Sequence, residues 1–114
     1  MEIESVREIA LAPPEVTEAP HFNHGAFRVG GRIFATVPPD QRHLHVMVDE
    51  QTRLLALEVH GDAMAPLYWG KRIPGLRIDL VRADARAVEQ LVRAAWRHKA
   101  PKRLAAALDA GDAA

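Results

Sequence analysis

Two consecutive glycines, Gly30 and Gly31 in the stretch AFRVGGRIFATV, constrain the fold of this chain more than any other feature. A two-residue hairpin turn of the hand that suits twisted strands needs positive φ at both central positions, and glycine adopts it without steric penalty. Short apolar–polar alternations flank the pair, so the stretch predicts a β-hairpin. Phe27 and Val29 are expected on one face with Arg28 opposite. On the return strand Ile33 and Ala35 fall on one side, and Arg32, Phe34 and Thr36 on the other.

The rest of the chain is assigned around that hairpin. Glu4 or Ser5 can cap a first short helix with Val6, Ile9 and Ala10 at helical spacing, which Pro13-Pro14 ends. EVTEAPHFNHG has no sustained period and is expected to be a loop. PPDQ forms the next turn and HLHVMV a third strand. Asp49 caps a helix to about Val59, with Leu54, Leu55 and Val59 as expected core contacts and Gly61 as its stop. PLYW and LRIDL are two further strands joined by GKRIPG, with Pro74-Gly75 as a turn. Asp84 caps the last long helix, where Val88, Leu91, Val92, Ala95 and Trp96 make a buried stripe. Pro101 starts a final turn or short helix, with Leu104 and Leu108 on its apolar side.

This order, α-β-β-β-α-β-β-α, predicts a two-layer α+β fold: a mainly antiparallel five-stranded sheet with helices on one face. The absence of long βαβ alternation argues against a Rossmann or flavodoxin-like sheet. At 114 residues a single domain spanning 1–114 is expected, with residues 110–114 a fraying tail.

Composition narrows the chemistry. There is no cysteine, which excludes disulfides, thiolate nucleophiles and cysteine-based zinc sites. Ser5 is the sole serine and sits at a helix start, and no P-loop or nucleophile–base set is recognisable. A non-enzymatic role without cofactor is therefore expected. The amino terminus is acidic where a signal peptide is basic, and no stretch has the roughly 18 apolar residues of a membrane span, so a cytoplasmic location is the default.

Charge is distributed unevenly although the formal net charge is zero. Residues 1–68 hold five Lys/Arg against ten Asp/Glu, while residues 69–103 hold ten against three. Such asymmetry points to an anionic partner. Lys71, Arg72, Arg77, Arg93, Arg97, Lys99, Lys102 and Arg103 are the basic set of the C-terminal half. Arg28 and Arg32, flanking the glycine turn, add a basic hairpin tip. Clustered Lys/Arg of this kind are what a phosphate backbone selects. A solvated face is the alternative, since Glu89 stands four residues before Arg93 as ordinary helix-surface pairs do.

Six histidines raise the question of a metal. His21 and His24 are at HxxH spacing, and His43 and His45 share one face of a strand, but no further ligands are placed to complete a site. No metal is expected. His21, Phe22 and Trp69 are candidates for a small-ligand pocket. Trp96, on the periodic stripe, belongs to the core.

LAPPEVTEAPHF, AFRVGGRIFATV, YWGK and AWRHKAPKRLAAAL, in this order and spacing, resemble motifs of the MmcQ/YjbR proteins, a widespread bacterial group. The resemblance covers about residues 5–108. It implies a secretion-chaperone-like α+β fold and a small binding module, with DNA bound through a double-wing arrangement of hairpins. Lys71, Arg72, Arg93, Arg97 and Lys102 would then act with Arg28 and Arg32 as one basic surface near Trp69. The alternatives are an adaptor for a protein partner or a small-ligand-binding domain.

Overall fold

The computed structural model describes the backbone of residues 1–113 and the side chains through residue 108. The elements are α1 (Ile3–Leu11), β1 (Val16–His21), β2 (His24–Val29), β3 (Arg32–Val37), β4 (His43–Met47), α2 (Glu50–His60), β5 (Met64–Trp69), β6 (Arg72–Asp79), α3 (Ala85–Lys99) and α4 (Lys102–Ala113). Six strands form one sheet in the order β1-β2-β3-β4-β6-β5, and every neighbouring pair is antiparallel. The expected α+β architecture is present with one strand and one helix more than the predicted order, the helix being α4, which replaces the final turn or short helix expected from Pro101. Part of the expected fraying tail lies outside the described residues.

The extra strand is β1, inside the stretch expected to be a loop, which also contains the start of β2. Its six residues pair along the whole of β2, from Val16↔Val29 to His21↔His24. It escapes periodicity because it is an edge strand: only Val16 is even partly buried, so neither face needs an apolar run. Pro20 is tolerable there because an edge strand leaves half of its amides outside the ladder.

The glycine hairpin forms as its sequence demands, with φ of +57° at Gly30 and +77° at Gly31 and with Val29 opposite Arg32. The facing pattern differs on β3. A register shift opposite Phe27/Arg28 gives β3 one extra residue, and both Phe34 and Ala35 join the core. Phe34 then lies 6.4 Å from Phe27, centroid to centroid.

A second two-residue turn, Gly70-Lys71, joins β5 to β6, with Trp69 opposite Arg72 and Gly70 at φ +63°. Pro74-Gly75 is thus no turn but part of β6. The missing amide of Pro74 falls where the register shifts between Leu67 and Trp69, the kind of irregularity that tolerates proline.

Two helix caps follow the sequence: Asp49 accepts from the Thr52 amide at 2.8 Å, and Asp84 from that of Ala87 at 3.2 Å. The cap expected from Glu4 or Ser5 does not form, because α1 begins earlier, with Glu2 at its N-cap and both residues inside the helix. The whole predicted stripe of α3 is buried, with Trp96 fully so. Its indole N–H donates to the Pro14 carbonyl at 3.2 Å and ties α3 to the chain leaving α1. Helix α2 overturns an expectation. Leu54, Leu55 and Val59 are exposed and only Ala56 is buried, because α2 packs on β5 and β6 at the sheet margin. Leu104 of α4 is buried and Leu108 packs against the core.

Candidate functional site

Strands β3 and β6 both run antiparallel to β4, which lies between them, so they begin at the same end of the sheet. Both glycine hairpins therefore turn at that end. Helix α3 finishes there too: a Cβ on Gly30 would stand 3.0 Å from the ring of Pro101, just past the helix. Three cations meet by this topology: Arg32 and Arg72 begin their strands, and Lys99 ends α3. Lys71 in the second turn and Lys102 at the start of α4 flank them.

Electrostatics confirm the proximity. Burial lowers the Lys99 pKa, and repulsion from Arg32 and Arg72 lowers it further. His98 is also held below its usual value, first by burial and then by Lys99, with Asp49 opposing. The last turn of α3 carries Arg97, His98 and Lys99, which suits the negative end of the helix dipole. Among the described residues, no carboxylate lies within ion-pair distance of Arg32, Lys71, Arg72 or Lys99.

Other members of the sequence-derived set lie elsewhere. Arg93 pairs with Glu89 at 3.1 Å, and Arg93 and Arg97 line a groove toward α1 that also contains Glu8. Arg28 is half-buried on the sheet and donates to the Ala19 carbonyl at 3.3 Å. Arg77 reaches His45 and Asp40, and Arg103 pairs with Glu15 at 3.3 Å. Arg77, Arg93 and Arg103 are thus each engaged by a carboxylate. The convergent part is Arg32, Arg72 and Lys99, and sequence spacing alone could not select it, because the three come from distant elements.

The three pocket candidates do come together, on the sheet face away from the helices. His21, Phe22, Asn23 and His24 from the β1–β2 turn, with Thr36, His45 and Trp69, line a cleft of about 370 Å³. The β1–β2 turn and the end of β5 reach this cleft from opposite margins of the sheet. His45 forms the floor with Thr36. Its Nε2 lies 2.8 Å from Arg77 Nη1 and so accepts, which leaves Nδ1–H to donate to Thr36 Oγ1 at 3.2 Å. The sequence offers His45 as a strand histidine, either a metal candidate or an ordinary hydrogen-bonded one, without naming its partners. Its role as a buried, hydrogen-bonded floor depends on the β3–β4–β6 pairing Thr36↔His45↔Arg77. Among the described residues, no group of three His, Cys, Asp or Glu could hold a metal.

Burial holds the His45 pKa down to about 4, aided by repulsion from Arg77, His24 and His43 and opposed only by Asp40. In the unfolded chain the ring protonates near its usual 6.5. The unfolded state therefore binds the extra proton between these values, and stability rises with pH across that window. Full stability is expected above pH 6.5, with a loss on the order of 2 kcal/mol by pH 4 after allowance for solvent screening. Urea midpoints at a series of pH values measure this. The His45→Gln variant should lack that part of the pH dependence, and an unchanged profile would contradict the assignment.

Three comparisons with known proteins bear on this arrangement. A protein-family model described as YjbR matches residues 11–98. The crystal structure of Deinococcus radiodurans protein DR2400, with a DUF419 domain, superposes with a TM-score of 0.77 at 19% identity. The match covers 95% of this chain and 88% of that one, so the fold is shared. No curated protein matches the sequence. No helix among the described residues is long and apolar enough to cross a membrane.

Proposed function

The chain belongs to the YjbR family, and we propose that it is a small non-enzymatic module that binds DNA through the end of the sheet where its two glycine hairpins turn. The observation that carries this reading is the convergence of Arg32, Arg72 and Lys99 there, with no carboxylate among the described residues in ion-pair distance of them. Phosphates spaced along a strand are the partner that relieves repulsion among such cations. Two hairpin tips at one end suit a pair of wings straddling a backbone. The proposed contacts are to the phosphate backbone and involve no base reading.

Fluorescence anisotropy of a labelled duplex tests it. Three neutralised phosphates imply a salt slope of about −2.7, so raising salt from about 50 to 200 mM should weaken binding about fortyfold. An Arg32→Glu/Arg72→Glu variant should lose at least tenfold in affinity at low salt while melting normally. Arg93→Glu/Arg97→Glu, in the groove toward α1, should lose less. The reverse ranking, or salt-independent binding, would contradict the proposal.

One observation favours a second reading, an adaptor for a protein partner. Leu55 and Val59 are exposed beside Leu91 and Ala94 along an apolar groove between α2 and α3. A Leu55→Lys variant discriminates: DNA affinity should stay at the wild-type level if the basic end is the working surface.

A further inference from the structure

The cleft on the open face of the sheet carries an inference separate from the basic end. Phe22 is 91% exposed, and its backbone is in the left-handed region at φ 56°. A bulky residue rarely stays there unless its surroundings or its use require it, and glycine would adopt the same turn at no steric penalty. Its ring stands edge-on to His21 at 4.7 Å. Trp69, 46% exposed, lines the same cleft from the opposite margin of the sheet. Two exposed aromatics from distant segments thus frame a volume at the small end of the range for ligand pockets.

The lining also says which chemistry fits. It contains no lysine, arginine, aspartate or glutamate. Its polar groups are hydroxyl, amide and imidazole. Thr36 Oγ1 accepts from His45 and keeps its own proton to donate. His24 Nδ1 lies 2.9 Å from Asn23 Oδ1, so Nδ1–H donates to that amide oxygen, and in the neutral ring Nε2 is then an acceptor. His45 is uncharged at neutral pH, so no fixed positive charge rises from the floor. A hydrocarbon ring would leave these groups without partners, and an anion would find no counter-charge in the lining, because Arg77 behind His45 is already paired with Asp40 at 3.7 Å. A planar, uncharged ring with donors and acceptors on its edge satisfies both the aromatic walls and the polar floor.

We propose that this cleft binds a nucleobase, stacked on Phe22 and Trp69 with its edge toward Thr36 and His24. A free nucleoside and an unpaired base of a single strand offer the same chemistry, and the experiment separates the two sources. Nucleosides carry no phosphate, so their binding is independent of Arg32, Arg72 and Lys99, and failure of either proposal leaves the other standing.

Calorimetric titration with adenosine and cytidine, and with short single-stranded oligonucleotides, tests the assignment against two variants. Phe22→Gly relieves the left-handed strain, so it should melt at or above the wild-type temperature yet bind about five- to a hundredfold more weakly, the range for loss of one aromatic stacking partner. Trp69→Ala should weaken binding over the same range. Nucleoside binding lost in both variants supports the proposal with a free base as ligand. Oligonucleotide binding alone, equally lost in both, supports it with a strand-borne base. Absence of binding by both probes, or wild-type affinity in Phe22→Gly and Trp69→Ala, overturns it.

Discussion

Replacing Gly75 by alanine is expected to leave little folded protein at moderate temperature. Gly75 lies inside β6 opposite Met47, and a Cβ there would stand 1.8 Å from the Val46 carbonyl oxygen, 2.8 Å from its carbon and 3.0 Å from Met47 Cα. All three are backbone atoms of β4. That strand is paired on both sides, to β3 and to β6, so it cannot move aside without breaking one ladder. Overpacking against fixed backbone costs about 3 kcal/mol or more. A loss of that size lowers the melting temperature by about 10 °C or more in a domain of this length. Gly31→Ala is the informative control, because Gly31 has φ +77° but no atom within 4 Å of an added Cβ. Its penalty is only the left-handed conformation, about 1 kcal/mol. Circular-dichroism melts of the two variants separate close approach from backbone strain. Equal losses would show that the contact between β6 and β4 is looser than described.

Trp96→Ala is expected to cost about 3–5 kcal/mol, the range for deleting a buried large aromatic. The side chain is fully buried in the core shared by sheet and helices, and its indole N–H holds the Pro14 carbonyl. Alanine removes the packing and the tie together. Phenylalanine keeps most of the ring and loses the hydrogen bond, so Trp96→Phe should cost less, about 1–2 kcal/mol. Denaturant unfolding of the three proteins gives the ranking. A Trp96→Ala loss below about 1 kcal/mol would mean that α3 is not anchored through this residue. The consequence reaches the proposed interface, because Lys99 stands three residues farther along the same helix.

What could be read from the residues divides along physical lines. Elements whose burial has a clear period were legible: the α3 stripe ending at Trp96, and the glycine hairpin with its two positive φ angles. The match of motif order to the MmcQ/YjbR proteins anticipated the YjbR family result. Strand β1 was not legible because an edge strand with little buried surface carries no alternation. The apolar residues of α2 misled for the opposite reason: a leucine pattern marks a possible core face, but Leu54 and Leu55 have no layer above them at the sheet margin. Pro74-Gly75 carries strong turn chemistry, yet Gly70-Lys71 makes the turn and Gly75 is needed for close approach to β4. The candidate sites depended on tertiary placement throughout. His21, Phe22 and Trp69 could be named from exposure and chemistry, whereas Arg32 meets Lys99 only because β3, β6 and α3 share an end.

The most direct measurement is residue-resolved: amide chemical-shift mapping of the labelled protein titrated with a short DNA duplex at low salt. The basic end predicts the largest changes at residues 30–32, 70–72 and 98–103, weakening as salt is raised. Changes centred on Arg93 and the α1 groove, on the exposed α2–α3 groove, or nowhere at millimolar duplex would contradict a DNA-binding surface built from the two hairpin turns.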